Sequence, residues 1–219
     1  MAAGMKCVVD ESVGWQCGDR ARNHVLLRSH AGGTKAMYDV EQLVRIGENM
    51  RFAALIDRMG LSDLTGLVGR FVPGHGSRVV AGNNLPDFLA LICYEAIFPQ
   101  YARTTENRPE WIVHITNDAW FGEFSGPYQH LVQAQMRAIE QGLPVVRSAN
   151  TGVSALIDPH GRIVDELKLG TAGYFDAYLP AALGPTVYNR LGEWTWLIAS
   201  FLLLVITILC TLRSVREID

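Results

Sequence analysis

The sequence has few of the residues on which metal, redox or nucleic-acid sites are usually built. Of its 219 residues, 4 are cysteine and 6 are histidine, and none forms a Cys-x-x-Cys or His-Glu-x-x-His pattern. No Gly-x-x-x-x-Gly-Lys-Ser/Thr phosphate loop is present either. We therefore expect no zinc site, no disulfide scaffold, no metal and no other cofactor. The formal net charge of −3 is not that of a nucleic-acid-binding protein.

The amino end is equally sparse in signals. Met1 to Lys6 lack the apolar core of a signal peptide, so nothing there predicts export. Cys7 and Cys17 form a disulfide in an oxidising compartment or stay as thiols, and spacing alone does not decide between the two.

What the sequence does have is one long apolar run near its carboxyl end. From Trp194 to Leu212 there are nineteen consecutive residues without a charge, and a helix needs about 20 to cross a bilayer. Trp194 and Trp196 begin the run, and Arg213 and Arg216 follow it. We predict a transmembrane helix with a cytoplasmic arginine end, which leaves the rest of the chain on the opposite side. The alternative is a core helix buried in a soluble protein.

A second feature is the stretch from Asp87 to Glu95. Its apolar residues, Phe88–Ile92, predict a buried strand, after which Cys93 follows at once. Reactive groups of α/β folds lie outside the carboxyl ends of such strands, so Cys93 is a candidate nucleophile. The alternative is a small buried hydrophobic residue, the commonest role of a free cysteine.

The segments that follow predict a layered α/β domain. A second central strand is expected at 111–116 and a helix at 127–141, whose Tyr128, Val132, Met136 and Ile139 would form the buried stripe. Further strands are expected at 144–148, 153–158, 162–166 and 173–179, with a turn at 158–161 that makes two of them a hairpin.

Five sequence blocks give a more specific indication. They are Leu91-Ile-Cys-Tyr-Glu95, Thr116-Asn-Asp-Ala-Trp-Phe-Gly122, Gly126-Pro-Tyr-Gln-His130, Arg137-Ala-Ile-Glu140 and Arg147-Ser-Ala-Asn-Thr-Gly152. In this order they resemble the carbon–nitrogen hydrolase (nitrilase) domain of the apolipoprotein N-acyltransferase family. The match is close over 87–179 and weak over 1–86.

The resemblance implies a nitrilase-like αββα sandwich, incomplete at its N-terminal side, followed by one transmembrane helix. It divides the chain into a poorly matching segment at 1–36 and a partial carbon–nitrogen hydrolase domain at 37–185. A transmembrane helix at 191–212 and a cytoplasmic tail at 213–219 complete the expected organisation.

The resemblance also implies a reaction. In the nitrilase family a Glu–Lys–Cys set acts on the substrate, and here Cys93 is the matching nucleophile. In the acyltransferase branch a phospholipid donates an acyl chain to the cysteine as a thioester. The acceptor is the amino-terminal amine of a diacylglyceryl-cysteine lipoprotein. The expected partners are therefore these two lipids and the bilayer. The expected location is the bacterial inner membrane, with the catalytic domain in the periplasm.

Other residues receive roles from the same match. Glu48 corresponds to a second carboxylate of the family site, or is simply a solvated glutamate at a helix start. Tyr94 and Glu95 are expected to shape the pocket around the nucleophile. Three residues after the second strand are expected to brace the loop that carries the acyl pocket: Asn117, Asp118 and Trp120. Arg147 and Asn150 are expected to be structural.

The sequence departs from the family at two catalytic positions. The lysine position falls on Val40, and Lys35 is out of register with it, on the other face of a strand. The family's general-base glutamate lies upstream of the segment that this chain matches. Two alternatives therefore stay open: a catalytically inactive, membrane-tethered binding module, and a nitrilase-type amidase.

Overall fold

The computed structural model describes the chain at residues 24–28, 34–39, 79–81, 85–104 and 107–216. The predictions made for Cys7, Cys17, Val40 and Glu48 lie outside these residues. Within them, the strands form two sheets, one of two strands and one of six.

The six-stranded sheet is the framework of the domain. Its strands follow one another in chain order and are β3 (Val79–Val80), β4 (Phe88–Ile92), β5 (Trp111–Asn117), β6 (Val145–Asn150), β7 (Ser154–Ile157) and β8 (Ile163–Leu167). The central pairs β4–β5 and β5–β6 are parallel, whereas β3–β4, β6–β7 and β7–β8 are antiparallel. The two predicted central strands and the hairpin formed by β7 and β8 are thus confirmed.

The smaller sheet is an antiparallel pair made by β1 (His24–Arg28) and β2 (Thr34–Asp39). The backbone of β1 lies beside β4, and that of β2 lies beside β3. Lys35 belongs to β2.

Both faces of the large sheet are covered at its central strands, β4 and β5. All five residues of β4 are buried, as expected for a strand with an uninterrupted apolar sequence. Leu89 and Leu91 join the larger core cluster, under the helix that follows β5. Phe88, Ala90 and Ile92 join a second cluster on the opposite face. Alternate side chains of a single strand therefore serve two cores.

Four α-helices lie in the described part of the chain: α1 (Pro99–Ala102), α2 (Gly126–Gln141), α3 (Val187–Leu191) and α4 (Trp194–Arg216). Helix α2 connects the parallel strands β5 and β6 and is capped by Gly142, whose φ of 63° is the left-handed conformation that glycine adopts readily.

The prediction of which face of α2 is buried was wrong. Its apolar stripe is exposed by about half, at Tyr128 51%, Val132 48%, Met136 43% and Ile139 52%. Apart from Leu131, the buried face instead carries small and polar side chains, among them His130, Ala134, Arg137, Ala138 and Gln141. Polar side chains occupy this face because they have hydrogen-bond partners on neighbouring elements.

The prediction of a strand at 173–179 was also wrong. The chain from 171 to 186, all of it described, forms neither helix nor strand. Tyr174 and Tyr178 are 86% and 96% exposed. With these side chains in solvent, the segment has no buried face of the kind that fixes a strand against a sheet.

The last helix, α4, stands apart from the core. Its segment Trp194–Thr211 has a mean hydropathy of 2.2, and none of that window is buried inside the structure. Such a helix is long and apolar enough to cross a membrane, and the alternative of a buried core helix is wrong for this structure. The hydroxyls of Thr207 and Thr211 donate to the carbonyls of Leu203 and Thr207, each at 2.9 Å.

Candidate active site

Cys93 lies at the first position after β4, where a short 3-10 helix, Cys93–Ile97, begins. It is half-buried and forms no disulfide. Its φ is 47°, in the left-handed region that a residue with a side chain seldom occupies. Such conformations persist only where the surroundings hold them, and they cluster at functional sites.

Two histidines hold the main chain of Cys93. The Nε2 atoms of His114, from β5, and of His130, from α2, lie 3.1 and 3.2 Å from its carbonyl oxygen. Both rings are buried, and they meet edge to face at 5.1 Å. The carbonyl of the candidate nucleophile is therefore fixed from two different elements.

Behind the histidines lies a buried ion pair. The Asp118 carboxylate receives a hydrogen bond from Arg147 of β6 at 2.5 Å, and its other oxygen lies 2.9 Å from Nδ1 of His130. The same oxygen accepts the hydroxyl proton of Thr116 at 3.0 Å. Arg147 also donates to Nδ1 of His114 at 2.8 Å. We call these residues, His114, Thr116, Asp118, His130 and Arg147, the polar cluster.

The polar cluster forms where it does because three strands end together. Ile92 pairs with Ile115, and Asn117 pairs with Asn150, so the carboxyl ends of β4, β5 and β6 share one edge of the sheet. This is the edge at which parallel α/β sheets present their functional groups.

The cluster perturbs the pKa values of its members. Burial lowers the pKa of His114 well below its usual value, and the charges of Arg147 and His130 lower it further. His114 is thus neutral: its Nδ1 accepts from Arg147, and its Nε2 donates to Cys93. Burial raises the pKa of Asp118, but the hydrogen bond from His130 and the charge of Arg147 outweigh it, so this pKa lies below its usual value.

Glu95 is the second acidic group beside the candidate nucleophile. It is fully buried, and one carboxylate oxygen accepts the backbone N–H of Ile92 at 2.9 Å. This bond spans the bend between β4 and the 3-10 helix, so Glu95 stabilises the turn in which Cys93 lies.

Similarity to known proteins shows the family of this chain. The family model described as carbon-nitrogen hydrolase matches residues 58–186, which is more than half of the chain. The chain belongs to the carbon–nitrogen hydrolase family. The predicted family and fold class are confirmed.

The curated relatives of this carbon–nitrogen hydrolase include two named apolipoprotein N-acyltransferase. The one from Rhodopseudomonas palustris is 49% identical over 195 residues, 89% of this chain and 36% of the relative. The one from Bradyrhizobium diazoefficiens is 50% identical over 174 residues, 80% of this chain and 32% of the relative. The chain thus spans about a third of the length of the curated relatives it matches.

The similarity to solved structures shows the fold alone. A cysteine-to-serine mutant of an amidase of Nesterenkonia AN1, from the nitrilase superfamily, is 19% identical with a TM-score of 0.53. That match covers 81% of this chain and 61% of the amidase. Another structure of an amidase from Nesterenkonia sp. has a TM-score of 0.51 at 19% identity, over 84% of this chain and 62% of that one.

The structure of this carbon–nitrogen hydrolase brings only some of the predicted site residues together. Cys93, Glu95 and Asp118 come together at the sheet edge. Asn117 accepts the backbone N–H of Ala119 and the amide of Asn150, whereas Trp120 is 83% exposed. The ring of Tyr94 packs edge to face on Phe98 at 5.2 Å.

Sequence reasoning missed His114 and His130. His114 was visible as the one titratable side chain inside the apolar strand 111–116, and His130 ended one of the five sequence blocks. Neither pattern indicates that both rings bind the same carbonyl oxygen. Arg147, expected to be structural, is the centre of the polar cluster.

Proposed function

We propose that this chain carries the acyl-transfer site of an apolipoprotein N-acyltransferase, with Cys93 as the nucleophile. The observation that carries the proposal is the position of Cys93. Its main chain makes a left-handed turn at the carboxyl ends of the parallel strands, and its carbonyl oxygen is held by two buried histidines. High identity to relatives of that name supports the substrate class.

The proposed reaction has two steps. The Cys93 thiol loses its proton, and its sulfur attacks an ester carbonyl of a phospholipid. A C–S bond forms, the C–O bond breaks, and the lysophospholipid leaves with a proton on its oxygen. The amino-terminal amine of a diacylglyceryl-cysteine lipoprotein then attacks the thioester. A C–N bond forms, the C–S bond breaks, and the amine gives up a proton while the thiol is restored.

The departures from the family limit the expected rate. Loss of one oxyanion-stabilising group costs on the order of 10²–10³ in rate, and Val40 stands at the family's lysine position. We propose that Glu48 and Glu95 support the site rather than replace that lysine. Slow acylation of Cys93 is therefore expected from this chain alone.

Two exposed apolar features support lipid substrates. Trp120 and Phe124 are 83% and 88% exposed on the loop that follows β5, next to the edge where Cys93 lies. The apolar α4 is long enough to anchor the domain in a bilayer. An anchored domain would have its site close to phospholipids.

We propose that the domain faces the periplasm and the arginines at the end of α4 face the cytoplasm. Glu166, exposed on β8, offers a position for a test in a bacterial inner membrane. A Glu166→Cys variant lacking the native cysteines should react with a membrane-impermeant maleimide in intact spheroplasts. Labelling only after the membrane is broken would place the domain in the cytoplasm.

A second function is favoured by Val40. Without the lysine, the chain would act as a catalytically inactive, membrane-tethered module that binds lipid or a partner. Retention of its cellular role in a Cys93→Ala variant would support this alternative. A nitrilase-type amidase is less favoured, because a small soluble amide requires neither the exposed apolar helix nor the exposed aromatic loop.

The deciding experiment follows the acyl chain. The full chain in detergent micelles would be incubated with a phospholipid carrying a fluorescent acyl chain, and then with a diacylglyceryl peptide that has a free amine. We expect a hydroxylamine-sensitive fluorescent adduct on Cys93, followed by N-acyl peptide, both detected by mass spectrometry.

The matched controls are Cys93→Ala and Cys210→Ala. The second removes Cys210, the other cysteine in the described part of the chain, which is exposed on α4. Cys210→Ala should keep the adduct and Cys93→Ala should lose it. An adduct that persists without Cys93, or no adduct at all on the unmodified chain, would contradict the proposed function.

A further inference from the structure

We propose that His130 is a positioning residue that holds a fixed positive charge beneath Cys93, whereas His114, which binds the same carbonyl oxygen, is neutral. Charged His130 orients the turn and favours the thiolate form of Cys93, whereas neutral His114 only orients the turn. This inference concerns how the thiol is activated, and it rests on the proposed function for its biological meaning.

The charge of His130 follows from its two neighbours. Nδ1 lies 2.9 Å from a carboxylate oxygen of Asp118, and Nε2 lies 3.2 Å from the carbonyl oxygen of Cys93. Both of these oxygens are acceptors, and a neutral imidazole carries one N–H. Only the doubly protonated ring donates to both. Arg147 also approaches Nδ1, but at 3.4 Å, which is longer than the contact with Asp118.

His114 has the opposite surroundings. Its Nδ1 lies 2.8 Å from a guanidinium nitrogen of Arg147, which can only donate. That nitrogen of the ring is therefore the acceptor, and Nε2 carries the single proton toward Cys93. The two histidines thus make the same hydrogen bond with different charges.

The consequence for Cys93 is electrostatic. A neighbouring positive charge favours a thiolate over a thiol, and Arg147 is close enough for its charge to interact with Cys93. Arg147 is paired with Asp118, so the charge of His130 decides whether the cluster is positive or neutral. Among described residues, the groups around Cys93 are Glu95 on the 3-10 helix, His114 on β5, Asp118 after β5, His130 on α2 and Arg147 on β6.

The test compares His130→Gln with His114→Gln, since glutamine keeps an N–H donor and lacks the charge. Both variants would be made in the full chain with Cys7, Cys17 and Cys210 changed to serine, so that Cys93 is the one thiol. The rate of alkylation by iodoacetamide would be measured against pH in detergent. His160→Gln, in the exposed turn after β7, is the control for loss of a histidine.

We expect His130→Gln to raise the midpoint of the pH profile by about one unit, so that alkylation at neutral pH slows roughly tenfold. His114→Gln and His160→Gln should keep the midpoint of the parent chain. Equal shifts in His130→Gln and His114→Gln, or no shift in either, would overturn the proposal.

A second measurement uses the parent chain and needs no substitution in the cluster. With ¹⁵N-labelled histidine, the His130 ring should show two protonated nitrogens at neutral pH, and the His114 ring one. A neutral His130 would overturn the proposal even if His130→Gln fails to fold. Neither measurement involves lipid, so both outcomes are independent of whether the chain transfers acyl groups.

Discussion

At the scale of single residues, the polar cluster is costly to bury and depends on complete pairing. Asp118, His114 and Arg147 are each 0–1% exposed. Removing one partner of such a pair leaves the other charged and unsolvated, which typically costs 3–5 kcal/mol. Gly152 shows how tightly the site is built, because a Cβ at this position would overlap the Asp118 carboxylate.

His114 should make the fold sensitive to mild acid. Its pKa in the folded chain is well below the usual value of about 6.5. Below about pH 6.5 the unfolded chain therefore binds a proton that the folded chain does not, and stability falls as the pH falls. Each pH unit costs up to about 1.4 kcal/mol for this one proton.

The measurement is the thermal midpoint at about pH 7.5 and about pH 5.5. The decrease between the two should be clearly smaller in His114→Gln than in the parent chain. The pKa of Asp118 lies below the carboxyl value of 3.8, so its titration changes stability only at a pH lower than the two compared. It therefore does not contribute to the difference between them. An equal decrease in both proteins would contradict a buried neutral His114.

The position of Cys93 directly after a buried strand could be predicted from the sequence, whereas the cluster that holds its carbonyl could not. An apolar run that ends in a cysteine and a glutamate is a local signal. The contacts of Cys93 with His114 and His130 span 21 and 37 residues of sequence, and they depend on three strands ending at one edge. The proposed charge of His130 and the tautomer of His114 follow from those contacts, and no local sequence pattern indicates either of them.

At the scale of elements, α2 explains why periodicity alone misplaced a helix face. The sequence offers two stripes, one apolar and one of small and polar residues. The second faces the sheet because Ala134 and Ala138 allow close approach and His130, Arg137 and Gln141 reach partners across the interface. Each of these three polar side chains makes at least one hydrogen bond across the interface, which offsets part of the cost of burying it.

Paired alanine substitutions test this orientation of α2. Leu131 is 6% exposed and belongs to the main core, whereas Met136 is 43% exposed. Leu131→Ala should cost about 2–3 kcal/mol through lost burial and a cavity, and Met136→Ala about 0.5 kcal/mol or less. Denaturant midpoints of the two variants give the comparison. A larger loss from Met136→Ala would mean that the apolar stripe is the buried one.

At the scale of the whole molecule, the question is how the apolar helix is attached to the domain. Helix α3 joins them, and Arg103 donates to the carbonyls of Asn189 and Arg190 at 2.8 and 2.7 Å. The amide of Asn189 donates to Gln141 at 2.6 Å. These bonds hold α3, the helix directly before α4, against the domain, so a membrane around α4 would restrict the orientation of the Cys93 domain.

A charge placed in the middle of α4 tests whether the helix enters a bilayer. Leu203 is 66% exposed and lies well inside the uncharged run. An arginine at the centre of a spanning helix costs about 2.5–3.5 kcal/mol of insertion free energy, whereas an arginine on an exposed surface costs little. Leu203→Arg should therefore release much of the chain from membranes during an alkaline wash. Tyr174→Arg, at a position 86% exposed on the domain, should stay in the membrane pellet like the parent chain. Equal retention of both variants would show that α4 is not what holds the protein to the membrane, because only one of the two changes places a charge on that helix.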